Sequence, residues 1–314
     1  MTQWRQQRVE SDRAFDRMLS ALPSDSSLRW KLIKCGEYGH WANNEWRCHA
    51  PACQRCRPRY VRRQQRQALE GLAGATNEQC SMVTVVLGIA DDVEDIASIW
   101  DKGRSDLRNR INAQRRQDRR WRNAMLTGWV EADPIIYDDV AMLGSQQRSV
   151  LAYLNQPRWR LDGGPCWVVH LHGLIYHPEI DWQAWQRELS DQWPGEGRVD
   201  VEPFFKNRAL FQNVNSIVRY ATKFKAGRVV EGAYDAWPSP FVAEYYDWVD
   251  EYSRGWQSLR IRIGPSWPKG NPTREINSSR LIHHDELALS CNDEFNSFPI
   301  LYTDSGYISD IWNH

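Results

Sequence analysis

Four cysteines crowd residues 35–56 in the pattern Cys35-x12-Cys48-x4-Cys53-x2-Cys56, around Gly36, Gly39 and Pro51. A segment this short and polar holds no apolar core of its own, so the sulfurs decide what it becomes. The 314-residue chain has no apolar run near the ~20 residues of a membrane span, and its start, MTQWRQQRVESDR, lacks the apolar stretch of a secretory leader. These features point to a soluble, cytoplasmic protein, and in a reducing compartment clustered thiols serve as metal ligands rather than disulfides. The expectation is a tetrahedral structural zinc on Cys35, Cys48, Cys53 and Cys56, with His40 and His49 as possible replacements for one sulfur. The competing reading is four buried free thiols. Cys80, Cys166 and Cys291 stand apart as inert thiols.

Hydrophobic periodicity sets out the rest. Helical spacing covers residues 4–20, and 57–73 (RPRYVRRQQRQALEGLA) reads as a basic helix leaving the cysteines. Residues 81–89 are β-branched and apolar and form the clearest strand. A helix opens with acidic residues at Asp91–Asp95 and runs on, Arg-rich, to about 125. Strands follow at 127–132 and 165–176, separated by a polar, irregular stretch at 138–164. A helix at 182–193, an alternating strand at 198–205 and a helix at 209–225 complete the pattern. The order implies an α+β fold, a central, mainly antiparallel sheet of about five strands flanked by helices. Three regions are expected: an N-terminal helix, zinc module and basic helix (1–75), a central domain (76–230), and an acidic, aromatic, partly disordered C-terminal region (231–314).

Net charge is zero, yet residues 1–130 carry 23 Lys and Arg against 15 Asp and Glu, and the remainder has the opposite excess. A basic half attracts polyphosphate in a salt-sensitive way, or it is a solvated Arg-rich face. Seventeen tryptophans supply core, stacking platforms for unpaired bases, or both.

Two further groups carry chemistry. His170-Leu171-His172 lies within a strand, where positions i and i+2 share a face, so both imidazoles can ligate one ion. The alternative is one satisfied core histidine beside an incidental neighbour. Glu131, in the strand TGWVEA, completes a two-His, one-carboxylate set if the strands are adjacent; otherwise it is an exposed strand Glu. Tyr220 and Lys223, read on one helix at i and i+3, bring an ammonium near a phenol, or form a plain surface pair. A phenol with a free pKa near ~10 needs a nearby cation to act as a nucleophile.

The segments SMVTVVLG, VVHLHGLIY and IVRYATKF occur in the order of three motifs of the HUH endonuclease superfamily, and the chain resembles its rolling-circle replication initiators, the plasmid Rep proteins. The cysteine segment ending CQRCRPRYVRRQ resembles the zinc-binding segment that such initiators and some related transposases carry ahead of the nuclease domain. GWVEAD is similar to the strand bearing the acidic ligand. The likeness spans residues 35–228 and implies an HUH nicking–joining domain. His170, His172 and Glu131 would bind Mg²⁺ or Mn²⁺. Tyr220 would attack single-stranded or hairpin origin DNA, leaving a 5′-phosphotyrosine and a free 3′-OH, with Lys223 orienting phosphate or phenol. A basic groove from Arg55, Arg57, Arg62, Arg63, Arg119 and Arg122, with Trp121 or Trp129 for stacking, would hold the strand. No Gly-x4-Gly-Lys-[Ser/Thr] loop occurs, so unwinding would fall to a host helicase.

Departures from the family pattern are specific. A long interval separates Glu131 from His170, implying an inserted loop. NVNSIVRY carries Asn213, Asn215 and Ser216 where many plasmid initiators place a water-activating Glu. A single Tyr in the motif sets the chain apart from paired-Tyr transposases and relaxases. A single-Tyr HUH transposase and a catalytically inactive zinc-dependent DNA-binding regulator are the rival readings.

Overall fold

The computed structural model describes residues 3–37, 46–136, 140–141, 143–154, 163–230, 233–253 and 256–264. Its helices are α1 (Gln3–Ala21), α2 (Ser27–Lys34), α3 (Arg57–Gly71), α4 (Asp95–Gln117), α5 (Ser145–Tyr153), α6 (Trp182–Gln192), α7 (Leu210–Ala221) and α8 (Ser239–Ser253). Its strands are β1 (Cys80–Ala90), β2 (Met125–Ile135), β3 (Cys166–Tyr176), β4 (Val199–Pro203), β5 (Gly227–Val230), β6 (Ala233–Ala236) and β7 (Arg260–Ile263). Five of them form one antiparallel sheet in the order β4-β1-β3-β2-β7, and β5 and β6 make a separate hairpin. The expected α+β class with a five-stranded antiparallel sheet is therefore what the chain adopts.

The three long strands are buried on both faces, which is why β1 and β3 read as near-continuous apolar runs rather than alternating ones. On one face Val83, Val85, Val130, Leu171 and Ile261 pack in a single core with Ile96, Trp100, Leu107 and Ile111 of α4 and Trp185 and Leu189 of α6. Each fully buried aliphatic side chain contributes about 1.5–3 kcal/mol. The opposite face is divided. Met82, Trp129 and Leu174 meet α3 and α7 through Ala68, Leu72, Val214, Ile217 and Val218, while Val86, Ile135 and Val168 meet Val150 and Leu151 of α5. Between these two apolar patches, on the same face, the strands place Thr84, Glu131, Asp133, His170 and His172.

Register fixes that strip. Glu131 stands opposite His170, and His172 lies between Trp129 on β2 and Thr84 on β1. Directly opposed residues of antiparallel strands share a face, so β2 and β3 deliver the carboxylates and imidazoles to one side. β2 and β3 approach closely where Gly128 opposes Gly173.

Several elements depart from the sequence expectations. α5 occupies part of the stretch read as irregular, because a Gly144–Gln147 cap starts a helix whose Val150 and Leu151 find an apolar sheet end to cover. α4 stops at Gln117, where the Asp118 side chain accepts from the Arg120 amide and closes a 3-10 turn before β2. α7 stops at Ala221, so Lys223 lies beyond the helix that carries Tyr220, and the two are not on one helical face. The sheet also extends past residue 230. α8 buries Val242, Tyr245, Tyr246 and Val249, and β7 is the edge strand beside β2. The expected disorder beyond residue 265, together with Cys291 and His40, falls outside the described residues.

The N-terminal segment is continuous with this core. Met18, Leu28, Leu32 and Cys35 share a cluster with Val242 and Val249 of α8. Lys31 pairs with Asp250 at 2.6 Å and Ser26 donates to Asp247 at 2.7 Å. No described helix is long and apolar enough to cross a membrane.

A Cβ at position 173 would lie 2.7 Å from the Thr127 carbonyl oxygen and 3.2 Å from the Gly128 Cα, both backbone atoms of the neighbouring strand. Gly173→Ala is accordingly expected to cost about 1–3 kcal/mol through forced strand separation. A lowered urea midpoint would show this; an unchanged midpoint would mean that β2 and β3 do not meet this closely.

Candidate metal centres and nucleophile

The four cysteines converge. Their Sγ atoms lie 3.6 Å apart for Cys35 and Cys56, 3.7 Å for Cys48 and Cys56, and 3.5 Å for Cys53 and Cys35. A tetrahedral zinc with bonds of about 2.3 Å sets its sulfurs about 3.8 Å apart, so this cluster is already close to the geometry an ion requires. Hydrogen bonding from the Cys48 thiol, reinforced by backbone amides, draws Cys53 down to about 5. Burial and neighbouring thiolate charge push Cys56 up to about 11, and the Cys53 contact raises Cys48 as well. A lowered Cys53 beside raised Cys48 and Cys56 is an arrangement a divalent ion would relieve by displacing thiol protons. His49 lies outside the quartet and holds a positive φ of 56°. Cys80 and Cys166 are fully buried thiols in the sheet.

The second cluster lies on the polar strip of the sheet. Glu131, His170 and His172 each offer one ligand atom, all within 4.8 Å of one another and all buried. Burial holds the His170 pKa well below the usual imidazole range. It also takes His172 down to about 3, against the opposing pull of Glu131. Both rings are therefore neutral at pH 7, the state that ligates metal. The Thr84 hydroxyl sits 3.0 Å from His172 Nδ1, while His172 Nε2 is buried without a hydrogen-bond partner among the described residues. That is the pattern of a metal-ligating histidine, one nitrogen oriented by a second residue and the other free of competing protein partners among the described residues. Two imidazoles and a carboxylate form a donor set that can hold a divalent metal ion, so the residues present fit a metal.

Two neighbours complete the cluster. Asp133 lies two residues beyond Glu131 on the same face, its Oδ2 3.6 Å from His170 Nε2. The Lys225 ammonium is 2.7 Å from Glu131 Oε2, in contact with Asp133 Oδ1, and 3.4 Å from His170 Nε2. Burial alone would raise Glu131, but Lys225 and further positive charge draw its pKa down; burial and the charge of Glu131 leave Asp133 raised despite Lys225.

Tyr220 reaches this cluster from α7, whose apolar face is fixed by Val214, Ile217, Val218 and Ala221. Its ring meets His172 edge-on, with centroids 4.9 Å apart and planes at 87°. Lys223, past the helix end, lies over the Tyr220 ring with its ammonium 3.8 Å from the centroid. The expectation placed the ammonium near the phenol oxygen along one helix face; the two side chains meet instead over the ring face, past the helix end. Burial, then the adjacent Lys225, pushes Lys223 down to about 8.

The segment between the two lysines is clamped. Phe224 stacks on Tyr246 at 4.9 Å, meets Phe15 of α1 at 6.1 Å, and lies under the Arg57 guanidinium at 5.2 Å. The Lys225 amide donates to the Tyr246 hydroxyl at 2.7 Å.

The expected DNA-facing residues are dispersed. Arg62 and Arg63 are exposed on α3. Arg57 turns inward onto Phe224, and Arg55 donates to the Cys35 carbonyl, so both make structural contacts. Arg119 and Arg122 are exposed but flank the turn whose Trp121 packs into the core on the other face of the sheet. Trp121 and Trp129 are 4% and 1% exposed, which removes both as stacking platforms. Residues 231–264, read as acidic, supply Arg260 and Arg262, which both donate to Gln67 of α3 near Arg63. Thr84, Asp133, Lys225 and Tyr246 were not singled out by sequence. Only Asp133 had a direct signal, its i+2 relation to Glu131.

Comparison with known family models, curated proteins and solved structures finds no match to this chain.

Three outcomes follow from this geometry. Removing the Thr84 hydroxyl in Thr84→Val should weaken Mn²⁺ binding about 10–100-fold by freeing the His172 ring, as read by titration calorimetry. Cys53→Ser should abolish stoichiometric zinc in the purified chain, measured by metal analysis, and lower its melting temperature. Acidification has a definite sign. His172 takes up its proton near 6.5 when unfolded but only near 3 when folded, so the unfolded state binds more protons between these values and stability falls as pH drops through that window. By pH 5 the loss is about 2 kcal/mol for this residue. In a chelator, urea midpoints at pH 7 and 5 should differ less for His172→Asn than for the unaltered protein.

Proposed function

We propose that this protein is an HUH-type, metal-assisted tyrosine endonuclease that nicks and rejoins single-stranded DNA at a specific origin, initiating plasmid rolling-circle replication. The observation that carries this reading is the placement of Tyr220 edge-on to His172 at 4.9 Å, above a buried Glu131, His170 and His172 set. Covalent phosphoryl transfer needs a nucleophile, charge stabilisation and an anchored phosphate within a few ångströms of one another.

A bound Mg²⁺ or Mn²⁺ would supply Lewis-acid polarisation of a phosphate oxygen. The chain's own residues do the rest. Lys223 over the ring sets a positive charge beside the Tyr220 side chain, where negative charge on a phosphate would be stabilised. Attack by the Tyr220 oxygen, whose proton passes to solvent, forms a bond to phosphorus as the bond to the 3′ oxygen breaks, and the leaving oxygen takes a proton from solvent to give the free 3′-OH. The reverse reaction, attack by a 3′-OH on the phosphotyrosine, rejoins the strand and restores the phenol. Exposed Arg62 and Arg63, with Arg262 at the α3–β7 edge, offer a basic approach on the side of the sheet that α3 and α7 cover. Zinc at the four cysteines has a structural role in this reading, and DNA unwinding falls to a helicase from the host.

With Mn²⁺ and labelled single-stranded DNA covering the replicon's own origin, a denaturation-resistant adduct is expected. Tyr220→Phe should abolish it, and His170→Ala should reduce the rate at least 100-fold. Salt-sensitive binding with no adduct in the unaltered protein would instead favour a DNA-binding regulator.

A further inference from the structure

The proposed site holds a positive charge of its own. Lys225 Nζ lies 2.7 Å from Glu131 Oε2, touches Asp133 Oδ1, and is 3.4 Å from His170 Nε2. It thus contacts two of the three residues that would share a divalent ion, Glu131 and His170. The side chain is 4% exposed, and Glu131 and Asp133 are 8% and 5% exposed. Neither carboxylate receives a hydrogen bond from a hydroxyl or backbone amide among the described residues. Two carboxylates buried without such donors need a cation to persist, and here that cation is covalently attached to the chain.

We infer that Lys225 is a tethered stand-in for the divalent ion: its ammonium occupies Glu131 until the metal enters, and is then retained by Asp133 alone. The inference rests on the reading of Glu131, His170 and His172 as a metal site. It assigns roles that reading leaves open: Asp133 becomes the lysine's parking place, and Lys225 a positioning residue that sets how tightly the metal binds. The anchor for such a movement is present. The Lys225 backbone is fixed by its hydrogen bond to Tyr246 and by the stacked Phe224 next to it, so only the flexible side chain need shift. Asp133 and Glu131, at i and i+2 of one strand, are near enough for one ammonium to bridge both or settle on either.

Charge makes the test selective. Removing Lys225 alone leaves two uncompensated carboxylates, which would attract any cation more strongly. Removing Lys225 and Asp133 together, as Lys225→Met with Asp133→Leu, keeps the net charge of the cluster unchanged and deletes only the competitor and its partner. Exchange of a buried ion pair for apolar groups is generally well tolerated.

The full-length protein would be titrated with Mn²⁺ alone, free ion being counted by its room-temperature electron paramagnetic resonance signal. The soft thiolates of the cysteine cluster do not compete for this ion. The double variant should bind Mn²⁺ at least tenfold more tightly than the unaltered protein. Equal or weaker binding overturns the inference. His172→Ala, run alongside, separates this result from failure of the metal-site reading: if it binds Mn²⁺ as well as the unaltered chain, the ion sits elsewhere and both readings fall. Should the double variant not fold, Lys225→Gln with Asp133→Asn, which also keeps the net charge of the cluster unchanged, takes its place. Mn²⁺ should then raise its melting temperature by more than that of the unaltered protein, and a smaller rise overturns the inference.

Discussion

The burial of two imidazoles and two carboxylates between apolar patches of one sheet face is the constraint that organises this molecule. Four polar groups at that depth would each cost several kcal/mol if left uncompensated. The protein meets the cost with Lys225, with Thr84 beside His172, and by keeping both rings neutral. None of these compensations is local in sequence. Thr84 comes from β1, the carboxylates from β2, the imidazoles from β3 and the ammonium from the segment after α7, so the cluster exists only when the sheet is complete and α7 is docked on it.

That dependence explains why the N-terminal cysteine segment belongs to the same core. The quartet launches α3, with Cys56 immediately before its first residue, and α3 packs beside α7 on the site face. Arg57, the first residue of that helix, lies over Phe224, and Phe15 of α1 approaches the same ring. Phe224 is flanked by the two lysines of the site. A metal at the cysteines would therefore steady, through one aromatic side chain, the segment that positions Lys223 and Lys225. The coupling is a packing argument: Phe224 has neighbours on α1, α3 and α8 and little freedom to move without carrying both ammonium groups with it.

Much of the fold was legible because its strongest signals are local. β1 and β3 are long apolar runs, α3 and α6 have clear helical spacing, and the cysteine pattern points to its own geometry. The Glu131–His170 pairing was reachable as well, since both lie in strands and only adjacency had to be assumed. What stayed hidden depends on long-range partners. α5 has weak periodicity and is held by the sheet end it covers, and β7 is four residues whose strand character comes from pairing with β2. The stacking roles assigned to Trp121 and Trp129 failed for the same reason, because a tryptophan's exposure is set by what packs on it. Lys223 was placed on a helix that ends two residues earlier, yet its contact with Tyr220 survives because the chain turns back over the ring.

The site draws its parts from the sheet and from the end of one helix. Every candidate ligand stands on one of the two adjacent strands β2 and β3, where the backbone ladder sets Glu131 opposite His170. Tyr220 and the two lysines stand instead at and just beyond the end of α7, where the helix has closed on Thr222 and the backbone leaves its regular path. In the proposed reaction Tyr220 thus meets the phosphate from a helix end outside the sheet, and the strands that carry the ligands need not move with it. Lys225 joins the two parts. Its backbone is held at Phe224 and Tyr246, just past the end of α7, and its ammonium reaches the strands, so the charge held on Glu131 and Asp133 ties the segment after α7 to the electrostatic state of the sheet.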